Sequence, residues 1–171
     1  MQGSDGVEIR RLAPGDSLAE LTGLLHRAYA ELGAMGFNYS AVDQDEAETA
    51  RRIDGGECWV AAAGGRLLGT VTLSPRLPPD LPPWREGLRT GLVQQLAVDP
   101  ALRGRGLGGR LMEVAEERAR ELGFSSVSLD TAEGAEHLLR LYRRRGYLPV
   151  DRRRWRGKTY RSVVLEKPLD R

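Results

Sequence analysis

The sequence predicts a single mixed α/β domain, and three observations carry that expectation. Stretches of alternating and of helically spaced apolar residues follow one another in the order β-α-α-β-β-β-α-β-α-β-β. Glycine or proline punctuates most of the junctions between them. The 171 residues, 40% hydrophobic and 29% charged, suit one domain with its own core, and no repeat or linker divides residues 1–171.

"VEIRRLAP" alternates Val7 and Ile9 and reads as a strand ending before Pro14. Ser17 and Glu20 have capping-box spacing, and Leu18, Leu21, Leu25, Ala28 and Leu32 recur at helical intervals up to a stop near Gly33. "AMGFNYS" reads as a loop, and Asp43 with Glu46 opens a second, shorter helix that ends at "DGG". "CWVAAAGGRLLGTVTL" reads as a hairpin turning at Gly64-Gly65. "SPRLPPDLPPWREGLRTG" holds five prolines, which excludes a central strand or a helix interior and leaves an ordered loop or a mobile flap. "LVQQLAV" is the next strand. Leu107, Leu111, Val114, Ala115 and Leu122 then mark a helix capped by Gly123. "SSVSLD" is a strand ending at Asp130, and Leu138, Leu141 and Tyr142 mark a last helix stopped at Gly146. "YLPVDRRRW" and "TYRSVVLEK" close the chain as two strands around Gly157-Lys158.

Composition narrows the function classes. A formal net charge of +2 argues against binding polyanions by bulk attraction. Lys158 and Lys167 are the only lysines, so the positive charge is mostly arginine, a fork that suits carboxylates and phosphates. Cys58 is the only cysteine, so no internal disulfide forms; it begins an apolar strand and is expected to pack there. No Cys/His cluster has zinc spacing, so no metal is expected. "MQGSDGVEIRR" lacks the pattern of a secretory signal, and no apolar run approaches the length of a membrane span; the expected location is cytoplasmic. His26 and His137 are expected at the surface or at helix ends.

"LAVDPALRGRGLGGRL", Leu96 to Leu111, sets four glycines and three arginines where a strand hands over to a helix. A helix start offers unpaired N–H groups and a positive dipole end, and glycines let such groups converge on one anion. Arg103, Arg105 and Arg110 add charge, so the stretch suits a phosphate or pyrophosphate. It also suits a plain tight turn with exposed arginines. A P-loop fails, because Arg110-Leu111 stands where Lys-Ser/Thr is required. A dinucleotide-binding reading fits Gly104, Gly106 and Gly109, with Asp130 about twenty residues further on. Against it, "DPALR" separates strand from glycines, and too few βα crossovers follow.

The same stretch resembles the acyl-CoA signature of the GNAT superfamily of N-acetyltransferases, Gln/Arg-x-x-Gly-x-Gly/Ala, through Arg103, Gly106 and Gly108. "LYRRRGY" resembles a second block of the family through Leu141, Tyr142, Gly146 and Tyr147, and the element order is the family's over nearly the whole chain. The resemblance implies a mixed, mostly antiparallel central sheet with a splayed parallel strand pair, flanked by helices. It implies acetyl-CoA as cofactor, its pantetheine arm pairing with the backbone of Leu96, Ala97 and Val98 and its pyrophosphate on the turn from Gly104 through Arg105, Gly106, Leu107 and Gly108 to Gly109.

Direct attack of a primary amine on the thioester is the implied reaction. Tyr142 stands at the family's position for the acid that protonates the departing thiolate. Asp130 matches an acidic position that serves some members as base; a turn cap for Asp130 and a water relay remain open. Gln94 and Gln95 occupy a region where other members carry a glutamate base, and Ala135 stands where many carry a cofactor-binding Asn. Phe37, Asn38, Tyr39 and Trp84 are the candidate acceptor walls, or plugs of the core. The basic stretch "DRRRWRGKTYR", with Trp155 and Tyr160 interleaved, suits either an exposed hairpin that discourages edge pairing or a nucleic-acid contact. Alternatives to the enzyme are a non-catalytic acyl-CoA or nucleotide-binding module and a nucleic-acid-associated factor. The expected partners are acetyl-CoA and an amine, with the chain a monomer or homodimer.

Overall fold

The structure, a computed structural model, describes residues 6–75 and 89–170. Trp84 and most of the proline-rich segment lie outside the described residues. The chain opens with β1 (Glu8–Arg11) and α1 (Leu18–Ala34). Ser17 caps α1 as its spacing predicts, accepting from the Glu20 N–H at 3.1 Å. The Glu20 carboxylate does not return to Ser17; it accepts from the Leu67 N–H at 2.6 Å, tying the helix to the sheet. The helix runs past Gly33, because Gly36 (φ +92°) takes the left-handed position and the Gly36 and Phe37 N–H groups close on Gly33 O and Leu32 O. Gly33 instead faces Val42, where a Cβ would come within 2.9 Å of a methyl group.

The expected loop before the second helix holds a helical turn, α2 (Ser40–Asp43), and α3 (Glu46–Ile53) is capped by Asp45 rather than Asp43. Asp45 accepts from the Glu48 N–H at 2.8 Å, the three-residue reach that capping geometry demands. The hairpin of β2 (Glu57–Ala63) and β3 (Arg66–Ser74) turns at Gly64-Gly65 as predicted. Then come β4 (Thr90–Val98), α4 (Leu107–Glu121), β5 (Ser126–Ala132), α5 (Glu136–Arg144), β6 (Leu148–Arg153) and β7 (Ser162–Pro168).

The strands form one sheet in the order β1-β2-β3-β4-β5-β7-β6, antiparallel throughout except for β4–β5. Period-two alternation feeds both faces: Cys58 and Val60 pack with Leu21 and Leu24 of α1, while Ala61, Val71 and Leu73 pack with Leu111, Met112 and Ala115 of α4. Cys58 is therefore a packing residue, its thiol pushed up by burial. Among the described residues no helix is long and apolar enough to cross a membrane.

The parallel pair is joined only at Thr90–Ser126, Gly91–Val127 and Leu92–Ser128, then opens while both strands continue. A bulge lies just beyond the junction. Thr70 pairs with Ala97 and Thr72 with Gln94, so Gln95 and Leu96 together oppose Val71. Gln95 sits at φ +55°, the one left-handed non-glycine among the described residues, a conformation that costs about 1–3 kcal/mol and persists where its surroundings hold it. They do: Gln44 Nε2 donates to Gln95 Oε1 and to Thr49 Oγ1, both at 2.8 Å, and all three residues are buried.

Candidate active site

A cavity of about 1050 Å³ follows the open half of β4–β5 from the start of α4 to the helices α2 and α3. At one end its wall is main chain. Gly104 and Gly106 lie at φ +78° and +77° on either side of Arg105, turning successive amides one way. None of the N–H groups from Gly104 to Gly109 has a partner among the described residues; the first bond beyond them runs from Arg110 N to Gly106 O. Gly108 passes close to Val98, so the turn abuts the strand. Asp99 N–H bonds Leu68 O toward β3, so by alternation the peptide groups of Leu96 and Val98 face the opening. The Leu96 carbonyl is taken by Tyr29 Oη at 2.9 Å, which leaves its N–H.

The arginines of the turn divide. Arg103 is committed to α1, donating to Glu31 and to Ala28 O at 2.7 and 2.8 Å. Arg105 is exposed and does not line the cavity. Arg145, which sequence reasoning passed over, lies against Gly109 with its Nε buried and unpartnered, 3.7 Å from Glu116 by its other end. Free amides, an open strand edge and an adjacent cation suit a long ligand with an anionic diphosphate. Ala135 is wholly buried, its N–H bonded to Ala132 O, and offers no side chain to such a ligand.

Tyr142, 9% exposed, lines the middle of the cavity. Its ring meets Tyr147 edge-on at 5.9 Å, and its hydroxyl has no hydrogen bond among the described residues. Burial raises its pKa well above the usual phenol range, so the hydroxyl keeps its proton at neutral pH. Asp130 is inside β5 rather than at its end, since the strand runs on to Ala132. Its carboxylate keeps accessible surface on the cavity side and accepts from Trp155 Nε1 at 3.0 Å. Enough protein surrounds it that desolvation raises its pKa, opposed by the Trp155 bond and by Arg52 and Lys158.

The far end is built from side chains. Tyr39 stacks on Tyr160 at 5.0 Å and leans on Tyr29 at 5.6 Å; burial pushes Tyr29 up to about 12. Tyr39 Oη bonds Thr131 and receives the Ala132 N–H. Of the expected acceptor walls, Tyr39 lines the cavity, whereas Phe37 and Asn38 do not. Phe37 packs edge-on against Tyr160, and Asn38 clips Gly157 O and the Thr159 N–H of the last hairpin. That hairpin turns Trp155 and Tyr160 inward, away from the surface stacking that a nucleic-acid contact needs. His137 is exposed at the cavity rim, and His26 donates from Nε2 to Gln44 O at 2.6 Å. Arg51, Arg52, Trp155 and Lys158 complete the wall; Trp155 and Lys158 come from the basic stretch singled out in the sequence, whereas Arg51 and Arg52 had no spacing or motif to announce them. Among the described residues no cluster of His, Cys, Asp and Glu could hold a metal ion.

Comparison with known proteins gives the class. Residues 21–147 match the model of the Acetyltransferase (GNAT) family. The S-(2-succino)cysteine N-acetyltransferase of Bacillus subtilis (strain 168) is 30% identical over 161 residues, 93% of this chain and 94% of that protein. In fold, a GNAT family acetyltransferase from Elizabethkingia anophelis with acetyl-CoA bound matches with a TM-score of 0.69 at 18% identity, over 97% of this chain and 100% of that one. A Bacillus subtilis acetyltransferase in complex with CoA matches with a TM-score of 0.69 at 21% identity, over 96% and 99%. The chain belongs to the GNAT family. It is an acyl-CoA-dependent acetyltransferase with acetyl-CoA as co-substrate.

Proposed function

We propose that the protein transfers the acetyl group of acetyl-CoA to a primary amine by direct attack. One observation carries this reading: the opened strand edge and the free amides lead, within one cavity, to a protonated tyrosine hydroxyl with no other partner. The N–H groups of Gly104 to Gly109, with Arg145 beside them, would hold the diphosphate, and the exposed edge of Leu96 to Val98 the pantetheine arm. The Leu96 N–H at the bulge would donate to the carbonyl oxygen as it gains charge during attack, a reading supported by the bulge that interrupts pairing with β3 there. Tyr142 donates its proton to the departing sulfur.

The amine must arrive neutral, and amines ordinarily hold their proton at physiological pH. Asp130, made more basic by desolvation, takes that proton either directly or through water. Gln94 and Gln95 do not serve: Gln94 donates to Arg52 O, and Gln95 is locked to Gln44. The test is thiol release from acetyl-CoA across a panel of primary amines, beside thermal shifts with acetyl-CoA, CoA, NADH and ATP. A ligand at about a hundred times its Kd adds roughly 2.7 kcal/mol, a shift of several degrees. Amine-dependent thiol release with stabilisation by acetyl-CoA is expected. Stabilisation by NADH alone, or acetyl-CoA binding without release for any amine, contradicts the reading.

A further inference from the structure

We infer that the acceptor is a small amine bearing a carboxylate, which Arg52 and Lys158 bind at the end of the cavity away from the glycine turn. The inference rests on the amine-acetyltransfer reading above and names the class of amine.

Of the six arginine and lysine side chains that line the cavity, three are already answered by a carboxylate, and Arg144, without an ion pair among the described residues, is exposed to solvent. Arg51 pairs with Glu48, Arg103 with Glu31 and Arg145 with Glu116. Arg52 and Lys158 make no ion pair within 4 Å with any described carboxylate, although both line the cavity. Each is held by neutral oxygens. Arg52 Nη1 donates to Gln44 Oε1 at 2.9 Å, and Lys158 Nζ donates to Asn38 O and Ser40 Oγ at 2.9 and 3.0 Å. Neutral anchors fix the position of a charge and leave it uncancelled. The Arg52 fork keeps further N–H donors, and the Lys158 ammonium keeps a third.

The two charges also feel each other. Lys158 is depressed first by burial and then by Arg52, against the opposing charges of Asp130, Asp43 and Glu48, so the pair stands in a partly desolvated wall. Asp130 shares the field of both cations yet bonds neither within hydrogen-bond distance; its carboxylate is occupied by Trp155 and sits beside Tyr142, where the reaction takes place. The cavity lining thus offers an anion for the amine end of the acceptor, two cations for an acid group, and the Tyr29, Tyr39 and Tyr160 rings for an apolar body.

Paired amines test this: α-amino acids against their α-carboxamides, compared at equal concentrations of free base with acetyl-CoA saturating. The expected result is at least tenfold higher kcat/KM for the acids. Arg52→Gln is expected to lower that ratio at least tenfold through the acceptor KM, with the KM for acetyl-CoA unmoved, and Arg52→Lys to recover part of it. Lys158→Gln is expected to act in the same direction. Because Lys158 also anchors the last hairpin, a lowered Tm in that variant leaves the Arg52 pair as the deciding measurement. Carboxamides turned over as well as acids, or an unchanged ratio in Arg52→Gln, overturns the inference while leaving amine acetylation standing. Thiol release with no amine of either class overturns the functional reading and this inference with it.

Discussion

The two ends of the cavity present different surfaces to a ligand, main chain at the glycine turn and side chain at the wall of Arg52, Trp155 and Lys158. At the turn, the proposed recognition is by amides whose direction follows from two left-handed glycines and a helix start. At the wall, it is by charged and aromatic groups brought from α3, β5 and the loop between β6 and β7. A site of amides tolerates change in the side chains around it and fails when the backbone path changes. A site of side chains behaves the other way. On the proposed reading the first end takes acetyl-CoA and the second the amine.

Four outcomes sharpen or break that contrast. Tyr142→Phe, at the junction of the two ends, is expected to lower kcat by about 10²–10⁴, the usual worth of a positioned acid, with the Kd of acetyl-CoA unchanged by calorimetry. Asp130→Asn is expected to lower kcat/KM by about tenfold or more and to remove an acidic limb from the pH profile. In the parent enzyme that limb falls as pH drops through the pKa of Asp130, displaced upward from its ordinary 3.8 because burial disfavours the ionised form. A limb that survives the substitution assigns the proton to a water relay instead.

Gly106→Val probes the main-chain end. Nothing lies within 4 Å of the added Cβ, so the effect is purely conformational, at a φ of +77° that a β-branched residue resists. Acetyl-CoA affinity is expected to fall about tenfold, for a cost of roughly 1–2 kcal/mol, with acceptor preference retained. The smallest effect belongs to Arg105→Ala: less than about threefold in the Kd of acetyl-CoA at physiological salt, because an exposed charge is screened. A larger loss for Arg105→Ala than for Gly106→Val would reverse the contrast.

The same contrast explains what could be read from the sequence. Gly104, Gly106, Gly108 and Gly109 lie in one short backbone path whose N–H groups are left without partners among the described residues, and such contiguity is visible in a sequence. Tyr142 was legible only through the resemblance of its block, since an apolar helix face alone reads as core. Arg52, Asp130, Trp155 and Lys158 meet through the sheet order β5-β7-β6 and the packing of α3, which no local spacing encodes. Trp155 shows the cost: its basic neighbours suggested an outward-facing stretch, yet its indole reaches Asp130. The α2 turn and the Asp45 cap were hidden by three acids in close succession, Asp43, Asp45 and Glu46, any of which fits a helix start by type. Gln95 gave no sign of its left-handed backbone, which the bulge imposes and Gln44 holds.

An amide-resolved NMR titration with CoA shows whether free main-chain amides beside an opened strand pair hold the co-substrate. Large shifts and slowed solvent exchange are expected at Leu96, Val98 and the amides from Gly104 to Gly109, with Arg105→Ala leaving the pattern in place. Saturating CoA that leaves those amides unmoved while shifting resonances elsewhere would contradict this mode of binding.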